Sequence, residues 1–176
     1  MNKTVVISAF PACGKTYAYN TLKKDGFSVL DSDSSKFSWC YDYNPAESDK
    51  IEKYRNPEFP TNYIKHIKEN IGKTDLIFVS SHKEVRSALE KAGINYVMVY
   101  PDKKEMKAEW VGRCYLRGSG NIFCDMINKN WNEWIEEIER EDFASECRIA
   151  KCVLNRSQPY LYDIIGFAQN CIGNYK

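Results

Sequence analysis

Short, nearly continuous apolar runs alternate along the chain with stretches whose apolar residues recur every three to four positions. The runs at 4–9, 27–31, 75–80 and 94–100 read as strands, and 151–154 reads as a weaker fifth. The stretches 15–24, 62–71, 83–92, 103–116, 123–140 and 160–171 read as helices. Stop signals close several of them: Asp25-Gly26, Gly72, Gly93, and the Arg117-Gly118-Ser119-Gly120 break. In 123–140 the apolar stripe is Ile127, Trp131, Trp134, Ile135 and Ile138. Strands without polar alternation are buried on both faces. The pattern therefore predicts an α/β fold with a central parallel five-stranded sheet and helices on both faces.

Segment 32–60 breaks this rhythm. It is polar and aromatic, interrupted by Pro45, Pro57 and Pro60, and reads as an insertion with some helix beside the site. Its rings (Phe37, Trp39, Tyr41, Tyr43, Tyr54, Phe59, then Tyr63) are interleaved with Lys36, Lys50, Lys53 and Arg55. That mixture suits stacking on a base or single strand with phosphate contacts, and equally suits rings that cover the sheet. Trp39, Tyr41 and Tyr43 alternate, as on a short strand edge. No repeat or interdomain linker is visible, so residues 1–176 read as a single domain.

Composition narrows the class without naming a partner. The 176 residues are 43% hydrophobic and 28% charged, as in a globular domain, and the net charge of +1 does not announce a polyanion binder. No apolar run approaches the roughly 18 residues that span a bilayer. The start leads directly into a strand and lacks the pattern of a secretory leader. Seven cysteines, an odd number with no Cys-x-x-Cys, predict free thiols in a reducing cytoplasm. Two histidines supply a zinc site poorly.

The sharpest local signal is Ala9-Phe10-Pro11-Ala12-Cys13-Gly14-Lys15-Thr16. It follows the phosphate-loop pattern G-x-x-x-x-G-K-[ST] with alanine at the first glycine. Backbone N–H groups of Ala12, Cys13 and Gly14 would point at phosphate oxygens, and the next helix would offer its positive N-terminus. Lys15 would add charge for the β- and γ-phosphates of ATP, and Thr16 a hydroxyl ligand for Mg²⁺. Ala9 implies that the backbone there is not left-handed.

The acceptor side follows the second strand, at Asp31-Ser32-Asp33-Ser34-Ser35-Lys36. Carboxyl ends of neighbouring parallel strands share one crevice, which places Asp31 and Asp33 near the γ-phosphate. A carboxylate there accepts a proton from an attacking hydroxyl or holds Mg²⁺; it can equally be a turn former or helix cap. The third strand ends Ser80-Ser81-His82 and lacks the aspartate that commonly holds a metal water there. Ser80 or Ser81 could touch the metal's water shell or the acceptor, and His82 also fits a surface helix cap. Arg113 and Arg117, four apart on one helical face before a glycine-rich break, suit a helical lid over 103–122 that steadies transferring phosphate. They equally suit a solvated face.

Over residues 3–140 the chain resembles the kinase half of the phage polynucleotide kinase family. The resemblance lies in Cys13-Gly14-Lys15-Thr16, Gly26-Phe27 before an acidic strand end, the strand 76–80 followed by a charged helix with Arg86, and Arg113-x-x-x-Arg117-Gly118. A narrower resemblance, at 31–39 (Asp-Ser-Asp-Ser-Ser-Lys-Phe-Ser-Trp), is to short phage and Firmicute P-loop proteins. Some phage P-loop kinases of this broad kind phosphorylate 5-hydroxymethyluracil within DNA.

The resemblance implies a P-loop kinase fold and transfer from ATP and Mg²⁺ to a nucleic-acid hydroxyl. Asp33 then serves as base and Asp31 with Thr16 at the metal, while Lys15, Arg113 and Arg117 serve the phosphates. Asp33, Lys36, Trp39, Ser81, His82 and Arg86 lie on the acceptor side. It implies DNA as partner, no obligate protein partner and a bacterial or phage-infected host cytoplasm. Ala9, the Ser80-Ser81-His82 strand end and the aromatic insertion depart from the family, and the chain has no counterpart of the phage enzyme's phosphatase half. A deoxynucleoside monophosphate kinase and a non-catalytic ATP-binding module remain alternatives.

Overall fold

The computed structural model describes residues 3–43, 51–141 and 147–175. Its centre is a parallel sheet of five strands, β1 (Lys3–Ala9), β2 (Val29–Asp31), β5 (Leu76–Ser80), β6 (Tyr96–Pro101) and β7 (Ile149–Leu154), in the order β2-β5-β1-β6-β7. The expected sheet is therefore present. Apart from Lys3 at the start of β1 and Ser80 at the end of β5, every residue of the three central strands is buried, Thr4 and Ser8 included, as a sheet covered on both faces requires. Register sets Ala9 beside Ser80 and Val99, so β1, β5 and β6 end close to the same level.

Helices α1 (Lys15–Lys24), α3 (Thr61–Asn70), α4 (Lys83–Lys91), α5 (Lys107–Leu116), α6 (Asn121–Arg140) and α7 (Ile165–Cys171) cover the sheet. The apolar stripe of α6 buries Ile127, Trp131, Ile135 and Ile138 as its periodicity predicts. Phe10 meets Trp131 edge-to-face at 6.0 Å, which joins this helix to the end of β1. No helix among the described residues is long and apolar enough to cross a membrane.

Several elements differ from the sequence expectation. The helix expected from 103 begins at Lys107, because Asp102 Oδ1 accepts the N–H groups of Lys104 and Glu105 and folds 102–106 into a turn. The last helix opens with a 3₁₀ turn, Leu161–Ile164. A two-residue strand, β8 (Asn174–Tyr175), pairs antiparallel with β1 and was not foreseen. Segment 32–60 holds the short helix α2 (Ser35–Ser38) and an antiparallel hairpin of β3 (Trp39–Tyr43) and β4 (Ile51–Arg55). Pro45 and Lys50 lie outside the described residues.

The hairpin forms its own two-stranded sheet. Its root is tied to the domain through Phe37, whose carbonyl accepts Asn56 Nδ2 at 2.8 Å and Asn62 Nδ2 at 3.0 Å.

Candidate functional site

The carboxyl ends of β1, β2 and β5 open onto one cleft of about 730 Å³. Its floor is the turn from β1 into α1. Two residues there take left-handed backbone conformations: Gly14 at φ 90° and, unusually, Ala12 at φ 65°. A side chain at left-handed φ costs roughly 1–2 kcal/mol, so the surroundings must impose it. Those surroundings are visible. Trp110 Nε1 donates to the Pro11 carbonyl at 2.6 Å, Leu161 N–H donates to the Cys13 carbonyl at 2.9 Å, and Phe10 N–H donates to the Val99 carbonyl at 2.8 Å. Gly14 is required by its φ alone, since a Cβ there would meet the Tyr160 ring at 3.4 Å, an ordinary contact distance. Ala9 lies in strand β1 and is not left-handed, as its Cβ implied.

Lys15 and Thr16 begin α1 and line the cleft. Lys15 Nζ donates to the Ala9 carbonyl at 3.0 Å, which holds the ammonium across the turn. Cys13 differs from its neighbours. Its side chain is buried, and burial pushes its thiol pKa up despite the opposing charge of Lys15.

Asp31 and Asp33 enter the cleft from the end of β2. Asp31 is partly buried, and desolvation raises its carboxyl pKa; Lys15 opposes that shift and Asp33 adds to it. Electrostatic coupling thus links the start of α1 to the end of β2. Asp33 is exposed and also acts as a turn former: its Oδ1 accepts the Ser35 N–H at 2.9 Å, opening α2. Ser32 between them is buried, and its hydroxyl lacks a partner among the described residues.

Tyr63 of α3 fixes this wall. Its phenol donates to the Ser32 carbonyl at 2.6 Å and accepts the Ser80 N–H at 3.4 Å, clamping the ends of β2 and β5 together. Burial, assisted by the Asp33 and Asp31 charges, pushes its pKa up to about 12, so it stays a neutral donor.

Ser81 and His82 line the cleft, and His82 Nδ1 lies 3.0 Å from Ser80 Oγ. Desolvation, followed by the Arg55 and Lys15 charges, lowers the His82 pKa and keeps the ring neutral near pH 7. Its backbone also precedes α4 as a cap residue in extended conformation.

The arginines divide. Arg113 and Arg117 both line the cleft. Arg113 is held as a wall rather than a free finger: its guanidinium lies 4.6 Å from the Trp110 centroid and 4.3 Å from that of Tyr160. It donates to the Pro159 carbonyl at 2.8 Å and pairs with Glu109, while its buried Nε has no partner among the described residues. Arg117 is exposed, bonded to Ser119 and 5.4 Å from the Phe123 ring. Helix α5 buries Trp110 and Cys114, so the segment expected to form a lid is docked through its inner face.

Arg86, expected on the acceptor side, does not reach the cleft lining. It is 2% exposed, donates to the Ser81 carbonyl, and pairs with Glu137 at 2.7 Å and Glu141 at 2.6 Å. Burial makes such a cation an anchor between α4 and α6, with its donors consumed by two carboxylates. Lys36 is exposed on α2 and is likewise absent from the lining, whereas Trp39 belongs to it.

Sequence reasoning missed Ser32, Tyr63, Tyr160 and Trp110 as site builders. Each contributes through a long-range contact; the position of Ser32 between two aspartates and the place of Tyr63 among the rings after the second strand were the hints. As a donor set the cleft is oxygen-rich, with Thr16, Asp31, Asp33 and serine hydroxyls. Among the described residues no three His, Cys, Asp or Glu side chains cluster as ligands. Thr16 and Asp31 are the oxygens that could hold Mg²⁺, an ion that takes one or two protein oxygens and completes its shell with water and substrate phosphates. No protein-family model matches the chain, and a search of curated proteins finds no significant match.

Proposed function

We propose that the protein has a P-loop kinase fold and is an ATP-dependent phosphotransferase acting on a hydroxyl of a nucleic acid, with the hydroxymethyl group of 5-hydroxymethyluracil in DNA as the best candidate. One observation carries the reading: the strained Ala12–Gly14 turn with Lys15 and Thr16 shares a single cleft with Asp31 and Asp33. Strain of this kind persists where a loop must hold its N–H groups for a ligand, and the following helix start favours an anion.

In this reading backbone N–H groups of 12–16 and Lys15 hold the β- and γ-phosphates of ATP. Lys15 exchanges the Ala9 carbonyl for phosphate oxygen. Thr16 and Asp31 would hold Mg²⁺, which would neutralise phosphate charge. Asp33 takes the proton of the acceptor hydroxyl as its oxygen bonds to the γ-phosphorus. The bond from that phosphorus to the β,γ-bridging oxygen breaks, and ADP leaves. Arg113, aligned by two rings, and Arg117 offset charge on the moving phosphoryl group. Ser81 and His82 face the acceptor, and neutral His82 can donate or accept one hydrogen bond there.

The test offers γ-labelled ATP and Mg²⁺ to DNA with and without internal 5-hydroxymethyluracil, 5′ ends blocked, beside free deoxynucleoside monophosphates. Label entering only the modified DNA is expected. Asp33→Asn should still bind ATP yet lose at least about a hundredfold in transfer rate, the scale of general-base catalysis. Label entering the monophosphates makes the protein a nucleotide kinase. ATP binding with no labelled acceptor makes it a binding module.

A further inference from the structure

The hairpin of β3 and β4 presents a surface that the transfer chemistry leaves unused. Its register opposes Trp39 to Arg55 and Tyr41 to Lys53. Opposed residues, and residues two apart, share one face of a sheet. The four side chains therefore stand together, and Trp39 and Arg55 also line the cleft. Tyr41 is 61% exposed, and neither Trp39 nor Tyr41 belongs to the hydrophobic core. Lys53 Nζ lies 4.3 Å from the Trp39 centroid and 6.0 Å from that of Tyr41. Arg55 lies 5.5 Å from Trp39 and pairs with Glu84, while Lys53 has no carboxylate partner among the described residues.

Building on the nucleic-acid reading above, we propose that this face is a platform for single-stranded DNA, which holds the nucleotides flanking the reacting one. Rings offer π-faces to bases of any sequence, and the cations beside them meet the backbone phosphates. In the free protein Lys53 covers the ring faces by cation–π attraction; on binding, bases take the rings and Lys53 turns to phosphate.

Spacing selects a single strand. Two positions along a strand are about 6.6 Å apart, roughly twice the 3.4 Å rise of a stacked duplex. Adjacent stacked bases cannot face Trp39 and Tyr41 together, whereas splayed bases can. A duplex acceptor must therefore unpair locally before it is used, as enzymes acting on a base require.

The platform is tested by fluorescence anisotropy with a fluorescein-labelled 16-nucleotide DNA of mixed sequence, single-stranded or annealed to its complement, across a salt series. The single strand should bind more tightly. Tyr41→Ala should weaken it about tenfold, Tyr41→Phe should restore it, and ATP binding should be unchanged in both. Lys53→Ala should reduce the slope of log affinity against log salt by about 0.7, one phosphate contact on a single strand. Equal or tighter binding of the duplex, no binding of the single strand, or no effect of Tyr41→Ala overturns the platform. If label enters DNA at the wild-type rate in Tyr41→Ala, the platform falls and the kinase reading stands. If strand binding depends on Tyr41 but no label enters any acceptor, the kinase reading falls and the platform stands.

Discussion

The two walls of the cleft are built in opposite ways. The wall formed by the turn after β1 is locked into the core. Trp110 and Leu161 bond its carbonyls, Tyr160 packs against Gly14, and Arg113 is layered between two rings. The facing wall ends in a hairpin that stands off the main sheet, with exposed rings and cations and a root fastened mainly through Phe37. Core packing holds a group to within a fraction of an ångström, as one fixed ligand geometry requires. A two-stranded appendage gains little from its own burial, so its surface residues are available for recognition. The difference teaches that the first wall suits a constant ligand, the second a variable one.

Substitutions should separate the walls sharply. Trp110→Ala removes a fully buried indole and the bond to Pro11. It should lower the unfolding free energy by about 3–5 kcal/mol, read by urea denaturation, and should loosen the Ala12–Gly14 turn. Tyr41→Ala on the hairpin should change stability by less than about 0.5 kcal/mol. Comparable losses from both would break the contrast.

Arg86→Ala tests the anchor beneath the Ser81 end. It leaves Glu137 and Glu141, which are 32% and 21% exposed at the side chain and can regain water. The expected loss is about 2–4 kcal/mol, at or just below the usual range for breaking a buried pair. Full stability combined with loss of acceptor binding would return Arg86 to the acceptor side.

Asp31→Asn sharpens the comparison through pH. Burial raises the folded-state pKa of Asp31, so the folded protein binds more protons than the unfolded chain between the ordinary carboxylate range and that raised value. Stability from this residue is therefore present at acid pH and falls as pH rises through the window. The asparagine variant should be the more stable protein at pH 7, its advantage shrinking on acidification, while transfer activity drops. Melting temperatures of both proteins across pH 3–7 give the sign directly. A modest gain is expected for Ala12→Gly. Relief of the left-handed φ, partly offset by added chain entropy, should raise stability by up to about 1 kcal/mol with ATP binding retained.

Strand–helix order, the loop with its obligatory Gly14, and the acidic end of β2 were legible because each depends on neighbours in sequence. Periodicity placed four of the five expected α6 stripe residues in the core, with Trp134 only partly buried, and α1 spans Lys15–Lys24 as expected. The hairpin was only partly legible: alternation of Trp39, Tyr41 and Tyr43 suggested an edge, but its partner strand lies beyond a segment without apolar periodicity. Arg86 was misplaced for a related reason. The resemblance implied the acceptor side, and the carboxylates that consume it come from α6 and its C-terminal cap, some fifty residues away.

By itself, then, the sequence determined the α/β layering, the turn at 10–14 and the grouping of Lys15, Thr16, Asp31 and Asp33 at strand ends. Hydrophobic period, turn chemistry and parallel topology act over a few residues or follow from connection order. Tertiary structure alone decided that Arg86 is turned away from the cleft, that the expected lid helix is docked through Trp110, that Tyr63 clamps two strand ends, and that Trp39, Tyr41, Lys53 and Arg55 share a face. Those outcomes depend on burial and on pairing between distant segments, and a side chain's chemistry changes with what surrounds it.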